Sequence, residues 1–107
     1  MSRVKHCEYL LNILKMLHPE LKENSGKTYY IWCSDYLVAV IDSIYFRIYY
    51  SIKRKNKVSI TVFSETHNKD SIKGIFHNMF RISRDYSYKG YKDRHRYILY
   101  LPKEELK

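Results

Sequence analysis

Glutamine is absent from this chain, and alanine occurs once, at Ala39. Three glycines, two prolines, two cysteines and one tryptophan complete the short side of the composition. Each scarcity closes a class. Scattered glycines leave no Gly-rich loop to cradle a phosphate. Cys7 and Cys33 are too few for a disulfide-built scaffold, and neither has a CxxC neighbour. Buried free thiols are therefore expected, with one bridge between them as the alternative. The longest uninterrupted apolar run is Tyr36–Ile41, far short of the ~20 residues that span a bilayer. No charged-apolar-small leader pattern follows Met1, and Ser2 in place of glycine excludes myristoylation. The expectation is an intracellular, cytoplasmic chain with no membrane partner.

What is present is charge, tyrosine and a core. The hydrophobic fraction of 45% in 107 residues fits one domain, 1–107, with a packed interior. Lys, Ile, Asn and Tyr are abundant and have AT-rich codons, which points to a virus or mobile element. The net charge is +9, and it is uneven. Residues 1–27 carry +2, residues 28–52 carry −1, and residues 53–107 carry +8. An anionic partner is thus sought in the second half.

Apolar residues Val4, Cys7, Leu11, Leu14 and Leu17 recur at helical steps and predict a helix over 3–18, with Ser2 as its cap and Pro19 as its stop. From Thr28 the period becomes two. Strands are predicted over 28–33, 36–42, 44–53 and 58–65, the last two forming a hairpin across the basic turn 54–57. Asp70 is the expected N-cap of a second helix over 71–82, striped by Ile72, Ile75, Phe76, Met79 and Phe80. A polar, tyrosine-rich loop then leads to a last strand over 94–101. The expected fold is α+β, in the order α-β-β-β-β-α-β. It has an antiparallel sheet of about five strands, with both helices on one face. The even-numbered apolar residues of 44–62 are expected to face the helices. A homodimer through a helix or sheet edge would enlarge so small a core.

Three constellations point to an anionic partner. The first runs from 81 to 97, where Arg81, Arg84, Lys89, Lys92, Arg94 and Arg96 alternate with Tyr86, Tyr88, Tyr91 and Tyr97. Cations neutralise phosphates while tyrosine rings stack on unpaired bases. A solvated loop with its tyrosines folded back accounts for the same pattern. The second is a ridge of Lys73, His77 and Arg81, four residues apart on the second helix. Its plain alternative is a wet helix face. The third is the odd-numbered side of the hairpin: Tyr45, Arg47, Tyr49, Lys53, Thr61 and Phe63. This is an aromatic-basic platform if no helix covers it, and an ordinary set of cross-strand pairs otherwise. The turn residues Arg54, Lys55 and Lys57 extend its end.

Catalytic signals are thinner. His77 and His95, with Arg81 and Tyr97, supply the residue types of a metal-independent ribonuclease. A lone histidine is more often structural. Glu65-Thr66-His67 with His77 matches no metal-ligand spacing, so no metal and no cofactor are expected. The leading expectation is a non-catalytic nucleic-acid-binding accessory protein favouring single-stranded or distorted targets. The alternatives are a viral or mobile-element module that docks on an acidic protein surface, and a small ribonuclease.

Overall fold

The computed structural model describes residues 3–50, 56–64, 68–87, 90 and 92–102. Ser2, Lys53, Arg54, Lys55, the 65–67 segment, Tyr88, Lys89 and Tyr91 lie outside the described residues. Helix α1 (Arg3–Leu17) places Cys7, Leu10, Leu11 and Leu14 in the core at the spacing its sequence implies. Six strands, β2 (Tyr29–Trp32), β3 (Tyr36–Ile41), β4 (Ile44–Tyr49), β5 (Lys57–Phe63), β6 (Arg81–Arg84) and β7 (Arg94–Tyr100), share one sheet with the two-residue β1 (Lys22–Glu23). Helix α2 (Lys69–Ile75) lies between β5 and β6 in sequence. The order across the sheet is β1-β2-β3-β4-β5-β7-β6, so β4 is the central strand. All neighbours are antiparallel except β1 and β2. Asp42 and Ser43 both adopt positive φ, 53° and 65°, which suits the tight turn between β3 and β4.

The α+β class agrees with the sequence, and so does the facing of the hairpin. Ile44, Phe46 and Ile48 of β4 and Val58, Ile60 and Val62 of β5 join Cys7, Leu10, Ile72, Ile75 and Phe76 in one buried cluster. The two helices thus share a face of the sheet. His18 ties their ends together, with Nε2 2.7 Å from the Ile75 carbonyl oxygen. Cys7 points its thiol at the Ile48 carbonyl oxygen and is fully buried. Burial, with a smaller push from Glu8, raises that thiol to about 12. Both cysteines are free, and Cys33 is half-exposed. Native maleimide labelling followed by mass spectrometry is expected to give one adduct, on Cys33. A second should appear only in urea.

Several expectations are corrected. The sheet has seven strands, two more than predicted: β1 falls in the expected loop, and β6 falls where the second helix was expected to end. The N-cap is Asn68, not Asp70. Its side-chain oxygen accepts from the backbone N–H groups of Asp70 and Ser71. Asn68→Ala should cost about 1 kcal/mol, close to 4 °C in thermal midpoint, while Asp70→Ala should cost only the smaller helix-dipole contribution. Helix α2 also stops at Ile75 rather than running to 82. His77 and Asn78 take φ of 50° and 60°, and the Asn78 N–H reaches back to the Lys73 carbonyl at 2.8 Å. This left-handed exit, which asparagine tolerates well, closes the helix. The Lys73–His77–Arg81 ridge therefore does not exist.

Candidate nucleic-acid interface

The strands alternate, so a side opposite the helices is defined by register. Its positions are Tyr29 and Ile31 on β2, Tyr36, Val38 and Val40 on β3, and Tyr45, Arg47 and Tyr49 on β4. Next come Lys57, Ser59, Thr61 and Phe63 on β5, Arg94, Arg96, Ile98 and Tyr100 on β7, and Arg81 and Ser83 on β6. Lys22 on β1 pairs with Tyr29 and joins them. Neither helix covers this side, because the buried cluster that holds the helices includes none of these residues. No Asp or Glu occupies any of these strand positions, whereas six cations do.

The cations are arranged on rings. Arg47 sits over Tyr36 at 4.4 Å and over Phe63 at 4.5 Å, with Tyr45 at 5.7 Å. Its Nε donates to the Tyr45 hydroxyl at 3.2 Å. Burial works against its charge, but hydrogen bonds to the Tyr45 and Tyr49 hydroxyls more than offset this, and its pKa is raised. Arg94 lies over Phe63, and both Lys57 and Arg81 lie over Tyr100. The rings themselves pair edge-on or tilted: Tyr36 with Tyr49 and Tyr45 with Phe63, each at 5.4 Å. Val38, Ser59 and Thr61 are buried on this side without a helix above them. Arg47 lies directly across from Val38 and Thr61, and Arg96 donates to Ser59, so long cationic side chains neighbour all three.

Arg96 differs from the others. Its Nε donates to the buried Ser59 hydroxyl at 2.7 Å and lies 3.2 Å from Asp85. The other Asp85 oxygen accepts from the Ser87 backbone N–H at 3.0 Å and from its hydroxyl. The resulting turn presents Tyr86 almost fully to solvent, at 86% exposure.

The residues singled out in the sequence divide accordingly. Lys57, Arg81, Arg94 and Arg96 meet on the open side, together with the hairpin residues Tyr45, Arg47, Tyr49, Thr61 and Phe63. Arg84 is exposed but shares the helix-facing register with Tyr97, which is buried. Burial raises the Tyr97 phenol, so its ring is a core group rather than a stacking surface. Lys73 remains on α2 and Lys92 on the exposed turn before β7. His77 packs edgewise on His18 with ring centres 5.4 Å apart, away from the cations. His95 pairs with Val62, on the helix side, and its buried Nε2 has no hydrogen-bond partner among the described residues.

Tyr29, Tyr36 and Tyr100 were missed as members of the site. The alternation that marks them is present in the sequence. In β3 it is masked by Val38 and Val40, which make both faces read as apolar. No family model, curated protein or solved structure matches this chain.

Proposed function

We propose that this chain binds single-stranded nucleic acid through the open side of its sheet, without catalysing a reaction. The observation that carries this reading is the charge-ring lattice centred on Arg47: the cations Lys22, Arg47, Lys57, Arg81 and Arg94, paired aromatic rings and no strand carboxylate on the side of the sheet that neither helix covers. Phosphates would meet the guanidinium and ammonium groups, while unpaired bases stack on tyrosine and phenylalanine. A duplex buries its base faces and offers only phosphates and groove edges, so it engages half of this chemistry. Tyr86, exposed on the Asp85 turn, and Lys92, exposed before β7, would add a ring and a cation to that contact.

The test is fluorescence anisotropy with labelled single- and double-stranded oligonucleotides of DNA and RNA at rising salt. Single strands should bind more tightly than duplex, with log affinity falling linearly against log salt. No binding at about 50 mM salt overturns the proposal, because phosphate-driven affinity is greatest there. The ribonuclease reading lacks comparable support, since His77 and His95 stand apart from the cationic side. Docking on an acidic protein surface would use the same cations. It predicts a captured partner that survives nuclease treatment.

A further inference from the structure

Arg47 stands at the middle of the central strand and has no carboxylate partner among the described residues. Its neighbours across the strands are Val38 and Thr61, both buried beside its stem. Its hydrogen-bond partners among the described residues are neutral phenols, those of Tyr45 and Tyr49. A half-buried guanidinium held by rings and neutral phenols, with no carboxylate partner among the described residues, keeps its full charge for an external anion. Arg96 provides the contrast on the same surface, because Asp85 neutralises it and Ser59 pins it.

The rings around Arg47 say more about that anion. Tyr36 and Tyr49 form one aromatic pair, and Tyr45 and Phe63 form another. The guanidinium carbon lies within 4.5 Å of a ring of each pair. The rings of Tyr36 and Phe63 hold the guanidinium by cation–π contact, and the Tyr45 hydroxyl holds its Nε side. The N–H donors not engaged by the Tyr45 and Tyr49 hydroxyls remain for an anion, and an aromatic pair lies on either side of Arg47 along β4. A phosphodiester between two unpaired bases has that layout: one anion flanked by two flat rings.

We propose that Arg47 is the central phosphate anchor of the open side, and that its footprint is one dinucleotide step with a base on each aromatic pair. Arg96 is a structural strut that holds the Asp85 turn to the sheet and does not contact the strand. This assignment rests on the nucleic-acid reading above and adds to it a location and a geometry.

Arg47→Lys keeps the charge and removes the planar, bidentate fork. Binding of a labelled 12-nucleotide single strand should weaken about tenfold or more with an unchanged salt slope, since the number of displaced counterions is the same. Arg96→Lys should bind within about twofold of the parent. A dinucleoside monophosphate should compete for the site, and inorganic phosphate at the same concentration should not.

Should Arg47→Lys fail to fold by circular dichroism, Tyr45→Phe replaces it. That variant keeps the ring but removes the oxygen that positions Nε, and it should weaken binding by a few-fold. Parent binding with no loss in the folded Arg47 or Tyr45 variant overturns the anchor and leaves the nucleic-acid reading standing. Equal competition by inorganic phosphate overturns the two-base footprint. Absence of binding by the parent protein at about 50 mM salt overturns the nucleic-acid reading and the anchor together.

Discussion

Phe46→Ala lowers the stability of this protein by about 3–5 kcal/mol, the largest effect expected of any single substitution here. Phe46 is fully buried on the central strand and belongs to the cluster that joins both helices to the sheet. Its β3 neighbour on that face is Ala39, and its β5 neighbour is Val62. Neither is large enough to close the space that a lost ring leaves, so a cavity adds to the lost transfer energy. A domain of this length has about 5–15 kcal/mol in total, so a large share of the margin disappears. Urea denaturation should show a much lower midpoint with an unchanged slope. A midpoint shift equivalent to less than about 1 kcal/mol would mean that the core does not converge on this residue. Tyr49→Leu, on the other side of the same strand, should leave the midpoint nearly in place, because its ring is only half-buried.

That difference between the faces makes the second large effect measurable. Tyr49 and Phe63 contribute one ring to each aromatic pair. Replacing both with leucine preserves apolar cover and removes two stacking surfaces. Base–aromatic stacking contributes roughly 1–3 kcal/mol per base, so single-strand affinity should fall by at least about 30-fold. No charge is removed, so the salt slope should stay as it was. Duplex binding should change little. A folded double variant that binds single strands like the parent would show that the rings serve only the sheet. Cross-strand aromatic pairs do so in many proteins without any ligand.

Where the sequence misled, the cause is local. The stripe Ile72, Ile75, Phe76, Met79, Phe80 has helical spacing, yet α2 uses only its first part. Phe76 and Phe80 are buried, whereas Met79 is exposed, and the chain between them turns through His77 and Asn78. Asn78 was the available signal for that exit, and the apolar rhythm across it outweighed it. Once the helix stops, Arg81–Arg84 is released to pair with β7, and Arg81 moves from a helix ridge to the open side over Tyr100. β1 carried no readable signal, since two residues paired at an edge have no periodicity to detect.

The hairpin was legible because alternation of period two fixes which residues share a side, and a one-residue slip would bury Arg47 and expose Phe46. Composition likewise placed the positive excess in the second half of the chain. Class, core face and sign of charge were therefore set by local pattern. The pattern led to the expectation that both helices share one face, and their packing agrees; only the tertiary structure decided that neither helix covers the other face. Strand order decided the rest. Placing β7 beside β5 brings Arg94 to Phe63 and Arg96 to Thr61, although 30 or more residues separate them along the chain. That order also makes β4 central, so that Arg47 stands between two aromatic pairs drawn from three strands. Register within a strand is written every second residue, but the neighbours of that strand are chosen by the packing of the whole.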